Sequence, residues 1–156
     1  MNFLLQNKIL SCNKCPDAIH IDRVIQSNLK NIVAICIFES VDEYRFNEIT
    51  LKLKQINWPM DKTYITSMVK CKNIFYVDNC KLFFLQEIMV LNPLALITVG
   101  FNLENYFDKS ILKMPIFNID SFDESINEYW LDIGRSIKKI INDKKIEFGG
   151  NIINGR

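Results

Sequence analysis

The sequence predicts an α/β domain assembled from βαβ units, and three observations carry that expectation. Residues 32–38 (IVAICIF) and 94–99 (LALITV) are continuous apolar runs of strand length, too short for a buried helix. A third run over 63–69 holds Tyr64, Ile65, Met68 and Val69 among β-branched neighbours. Between these runs lie segments of helical length whose apolar residues recur at intervals of three and four. Strands separated by helices pair in parallel, and the connection is right-handed because a right-twisted strand packs its helix back onto the sheet only that way.

Taken in order, the opening MNFLLQNKILSC reads as an amphipathic helix with Phe3, Leu4, Ile9 and Leu10 as its apolar members. It has the outline of a lipoprotein signal before Cys12. However, Gln6, Asn7 and Lys8 interrupt the apolar stretch and no basic residue precedes it. A turn at 28–31 (NLKN) introduces the first strand, in which Cys36 sits as a small core residue. Glu39, Ser40, Asp42 and Glu43 follow at its carboxyl end, with Ser40 or Asp42 placed to cap a helix over 43–56. Phe46, Ile49, Leu53 and Ile56 give that helix one apolar face, and Trp58-Pro59 ends it.

After the second strand, a helix over 79–91 carries Leu82, Phe83, Ile88 and Val90, with Leu85 and Met89 four apart. Asn92-Pro93 stops it, because the residue before proline is pushed out of the helical region. Gly100 closes the third strand. A short helix over 103–109 and a weaker strand over 115–119 come next. The last helix, 123–142, aligns Ile126, Trp130, Ile133, Ile137 and Ile140 or Ile141. Lys138, Lys139, Lys144 and Lys145 gather at its end, where cations complement the helix dipole, so a solvated terminus explains them better than a DNA-binding patch. One domain over residues 1–148 is expected, with 149–156 as a flexible tail containing Gly149 and Gly150.

Bulk properties narrow the function classes. The chain has 156 residues, 49% of them hydrophobic and 24% charged, which is the composition of one globular domain rather than a disordered segment. Nineteen basic against eighteen acidic residues leave a net charge of +1, so bulk charge offers no attraction for nucleic acid. Charged or amide residues break every apolar run short of membrane-spanning length. A cytoplasmic protein is expected, and there five cysteines point to metal binding or catalysis before disulfides.

Cys12 and Cys15 form a C-x2-C, and Cys71 and Cys80 form a C-x8-C that returns only after a whole βα unit. Two thiolates three residues apart reach one metal without strain. Spacing alone leaves two readings, a shared metal site or unconnected buried thiols. Glu39 and Asp42 place two carboxylates at a strand's carboxyl end, compatible with acid–base work and equally with helix capping. His20, the only histidine, reads as a surface or packing residue, while Tyr44, Phe75 and Tyr76 are aromatics available to a partner or to stacking on bases.

The order of these motifs carries a family resemblance. A C-x2-C, an apolar strand ending in an acidic residue, YITSMVKCK, a cysteine opening a Phe- and Leu-rich helix, and LNPLALITVG together resemble the iron–sulfur branch of the uracil-DNA glycosylase superfamily over residues 8–100. The resemblance implies a three-layer α/β/α domain with a four-stranded parallel sheet. It also implies a [4Fe–4S] cluster, with Cys12, Cys15, Cys71 and Cys80 matching the ligands; zinc is the alternative metal. The Cys71–Cys80 gap is shorter than the family's, so its arginine- and proline-rich loop is largely missing.

The family's catalytic motifs are altered together. Its Gly-Glu-Ala-Pro-Gly is Phe38-Glu39-Ser40-Val41-Asp42 here, and residues bearing a Cβ keep a flipped nucleotide from approaching the backbone. The stacking Pro-Phe-Val-Gly has no counterpart between Asp42 and Trp58. The base-reading asparagine is Ser67, which lacks an amide's paired donor and acceptor, and the late His-Pro-Ser is replaced within Asn118-Ile119-Asp120-Ser121. The resulting expectation is a cluster-binding subunit without base excision that works in DNA replication or repair beside DNA or a partner such as a polymerase. Its alternatives are an active glycosylase, with Glu39 or Asp42 activating water and Ser67 or Asp120 binding the base, and a zinc-binding structural domain.

Overall fold

The computed structural model describes residues 3–15, 33–39, 41–70, 75, 77–108, 110–121 and 127–143. Its centre is an all-parallel sheet of β1 (Val33–Ile37), β2 (Thr63–Ser67), β3 (Ala95–Val99) and β4 (Ile116–Ile119), in the order β2-β1-β3-β4. Val33 pairs with Thr63 on one side and Ala95 on the other, and Leu96 pairs with Ile116. Among the described residues, α2 (Glu43–Gln55), α3 (Val77–Leu91) and α4 (Asn127–Asp143) flank it, and α1 (Phe3–Leu10) packs on α3.

Strand alternation divides the core into two layers, which makes the domain α/β/α. Val33, Ile35, Ile37, Ile65, Ala95, Ile97 and Val99 face Ile49 and Leu53 of α2 and Trp130, Ile133 and Ile137 of α4. Ala34, Cys36 and Leu96 face Phe84 and Ile88 of α3, with Leu103 and Leu112 from the β3–β4 connection closing that side. Every residue of β1, β2 and β3 is buried, as expected of strands covered on both faces. Across the α2–α4 layer the Trp58 and Trp130 rings meet edge to face at 5.2 Å, and Trp58 Nε1 donates to Thr63 Oγ1 at 2.8 Å.

The helix ends follow from local chemistry. Asp42 Oδ1 accepts from Arg45 N at 2.8 Å, so Asp42 is the N-cap of α2. At the other end Asn57 adopts φ +54°, Asn57 N donates to the Lys54 carbonyl and Trp58 N to the Leu53 carbonyl. This paired closure around a left-handed residue satisfies the last carbonyls before Pro59. Asn92, at φ +45°, ends α3 in the same region of backbone space ahead of Pro93.

Some expectations require correction. The regular strands are a residue or two shorter than the apolar runs, although the hydrogen bonds continue: Met68 N donates to the Ile37 carbonyl at 2.8 Å and Val69 N to the Phe38 carbonyl at 3.1 Å. The helix expected over 103–109 is one 3₁₀ turn, Leu103–Asn105. Asn102 Oδ1 caps it through Glu104 N, and Asp108 Oδ1 takes Ser110 N into a separate turn. In α1 the buried members are Leu5 and Ile9, four apart, whereas Leu4 and Leu10 are exposed. The turn at 28–31, His20, Ser40, Cys71, Tyr76, Ile126, Lys144, Lys145 and the 149–156 tail lie outside the described residues. Among the described residues no helix is long and apolar enough to cross a membrane.

Candidate metal centre

Two segments distant in sequence meet where β2 runs toward α3. Val69 continues the β2 ladder, Cys80 lies in the first turn of α3, and both pack with Cys15 in a small buried cluster covered by Val77. Cys15 and Cys80 are 6% and 2% exposed. Both sulfurs accept hydrogen bonds: Lys70 N donates to Cys80 Sγ at 3.4 Å and Asn79 Nδ2 to Cys15 Sγ at 3.7 Å. Such donors lower the energy of a thiolate and tune any iron it binds.

The loop bearing Cys12 and Cys15 is held on α3 by further contacts. Asn79 Nδ2 also donates to the Lys14 carbonyl at 3.3 Å, and Lys14 Nζ stands 4.8 Å from the centre of the Phe83 ring. Cys12 packs beside Leu5, Ile9 and Phe83, in the apolar patch next to the Cys15–Cys80 pair. Among the described residues no three His, Cys, Asp or Glu side chains form one metal-holding group. Of the four matched cysteines, then, Cys15 and Cys80 are brought together, Cys12 lies in the adjoining patch, and Cys71 falls outside the described residues. The donor set fits a thiolate-bound metal: two buried soft sulfurs, each with an N–H directed at it, and a third cysteine on the same short loop.

Behind this site lies a polar network absent from the sequence reading. Glu87, in the middle of α3 and 3% exposed, accepts from Tyr64 Oη, Thr66 Oγ1 and Lys70 Nζ, each at 2.6 Å. Lys70 Nζ also donates to Thr66 Oγ1 at 2.6 Å. The two charged groups are therefore buried but paired with each other and with hydroxyl partners, the kind of setting in which burial of charge is tolerated. Burial, followed by the Glu87 charge and the hydrogen bond it receives, drives the Tyr64 phenol far above its usual range, so it stays protonated as a donor. Burial also holds the Cys36 thiol well above its ordinary value, with Lys70 opposing and Glu87 reinforcing the shift. The available signal was a carboxylate inside the apolar stretch KLFFLQEIMVL.

The remaining candidates lie along the carboxyl edge of the sheet. Strand order reverses between β1 and β3, so the crevice that open α/β sheets use for ligands falls at their carboxyl ends. Three rings crowd there: Phe38 lies 5.6 Å from Phe101 and 5.8 Å from Tyr106, which are 6.0 Å from each other. Glu39 is exposed just beyond β1, and Ser67 ends β2 as the register partner of Ile37. Asp42 is engaged as a helix cap. Asp120, exposed beyond β4, is three strand spacings from Ser67, about 14 Å at ~4.8 Å each. Tyr44 and Phe75 are exposed.

No protein-family model and no curated protein matches the chain.

Proposed function

We propose that this chain is a uracil-DNA glycosylase-like protein that binds a [4Fe–4S] cluster through Cys12, Cys15, Cys71 and Cys80 and serves as a non-catalytic subunit in DNA replication or repair. The observation that carries the metal reading is the meeting of Cys15 and Cys80, far apart in sequence, in one buried cluster with an N–H donor on each sulfur. Bound there, a cluster supplies a covalent cross-link between the N-terminal loop and the start of α3. It compensates for the small apolar area that an eight-residue α1 buries by itself.

Support for the non-catalytic reading comes from the carboxyl edge. A base-excising site needs an open crevice beside an activated water. Here Phe38, Phe101 and Tyr106 pack one another at the strand-order reversal, and Asp42 is committed to Arg45 N. The competing catalytic reading has Glu39 as the water-activating base, with Ser67 one strand away and Asp120 too distant to share the same base edge with it. DNA and a replication or repair protein such as a polymerase are the partners proposed.

Anaerobic purification followed by iron, sulfide and zinc analysis tests the metal. Four irons per chain with broad visible absorption support the cluster; stoichiometric zinc replaces it with a structural zinc site. Incubation with uracil-containing single- and double-stranded DNA tests the chemistry. Abasic sites produced by the wild-type chain and abolished by Glu39→Gln would overturn the non-catalytic reading.

A further inference from the structure

Lys70 bridges the metal-centre candidate and the buried network. Its main-chain N–H reaches Cys80 Sγ at 3.4 Å, while its ammonium, at the other end of the same residue, sits 2.6 Å from both Glu87 Oε2 and Thr66 Oγ1. Cys80 and Glu87 are seven residues apart on α3, two helical turns and therefore one face, about 10 Å along the axis. One residue leaving β2 thus grips α3 at two points. Glu87, the far anchor, is itself held by Tyr64 and Thr66, two residues apart on one face of β2.

Stability alone does not account for the arrangement, since buried ion pairs exchanged for well-packed apolar residues often leave stability unchanged. Its distinctive effect is geometric. It fixes the main chain beside Cys80 so that the sulfur meets an N–H before any metal is present. Groups that orient a ligand in this way act on metal affinity without touching the metal.

We propose that Lys70, anchored by Glu87, is a positioning residue that preorganises the Cys80 sulfur for metal binding. This rests on the metal-centre reading above. Cobalt(II) alone is the probe, titrated into reduced, metal-free full-length protein and followed by sulfur-to-cobalt absorption, with thermal unfolding of the same samples as the folding control. The double variant Lys70→Met/Glu87→Gln removes both charges together and keeps an amide acceptor for Tyr64.

The expected result is cooperative unfolding like the wild type's with cobalt affinity about 10–100-fold weaker. Should the double variant fail to fold, Thr66→Val, which removes one of the two acceptors of the Lys70 ammonium and leaves the Lys70–Glu87 pair in place, is expected to weaken cobalt binding in the same direction, and unchanged binding by that folded variant overturns the positioning role. A folded variant that binds cobalt as tightly as the wild type overturns the positioning role and leaves the metal centre standing. A wild-type chain that binds neither cobalt nor iron, or a Cys80→Ser variant that binds as tightly as the wild type, overturns the metal reading and this inference with it.

Discussion

The Asn79 amide donates to the sulfur of Cys15, 64 positions earlier in the chain, at 3.7 Å, and to the Lys14 carbonyl at 3.3 Å. One side chain in the first turn of α3 thus fastens the N-terminal loop to the sheet domain.

Asn79→Ala removes both bonds at a partly exposed site, where a hydrogen bond contributes about 0.5–1.5 kcal/mol. The expected outcome in the metal-free protein is faster proteolysis within residues 11–15, with the sheet's hydrogen-exchange protection unchanged. Equal loss of protection in β1 and β3 would show that the loop is part of the global folding unit.

The cysteines separate by role. Cys80→Ser is expected to abolish metal binding while the fold persists. Cys36→Ala leaves metal content intact and lowers stability, since Cys36 is fully buried against α3 and its truncation opens a small cavity. Iron and zinc content beside urea midpoints distinguishes the two.

Breaking the Lys70–Glu87 pair from one side only strands a buried charge. Lys70→Met alone is expected to destabilise by about 3–5 kcal/mol, more than the double variant Lys70→Met/Glu87→Gln. A double-mutant cycle in urea measures the coupling; additive effects would contradict it.

Alkaline pH tests the buried thiol and phenol. Cys36 and Tyr64 have raised values in the folded protein, so both keep their protons there after the unfolded chain has lost them. Their contribution is complete below the unfolded values, about 8.5 for cysteine and about 10 for tyrosine, and declines as pH rises above them. Each group adds a slope of up to about 1.4 kcal/mol per pH unit, Cys36 first and Tyr64 above it. Cys36→Ala is expected to remove the earlier decline and keep the later one, read from urea unfolding between about pH 8 and 11.

The element order and the parallel strands were legible in the sequence because they rest on local periodicity: IVAICIF and LALITV can be strands buried on two faces and little else. So was a cap at Ser40 or Asp42, of which Asp42 is the one that takes Arg45 N, since capping involves only its own turn. The choice of Leu5 over Leu4 as the buried face of α1 was not, because it depends on what lies across the contact. Nor was the Glu87 network: its partners Tyr64 and Thr66 of β2 and Lys70 just beyond that strand lie 17 to 23 residues away, and no local pattern records that they face α3 together. The sequence by itself determined which segments are strands and helices and which cysteines could be ligands. Only the tertiary structure decided that Cys15 meets Cys80 and that a lysine joins that meeting to a buried carboxylate, because both follow from strand order and crossover geometry rather than from neighbours along the chain.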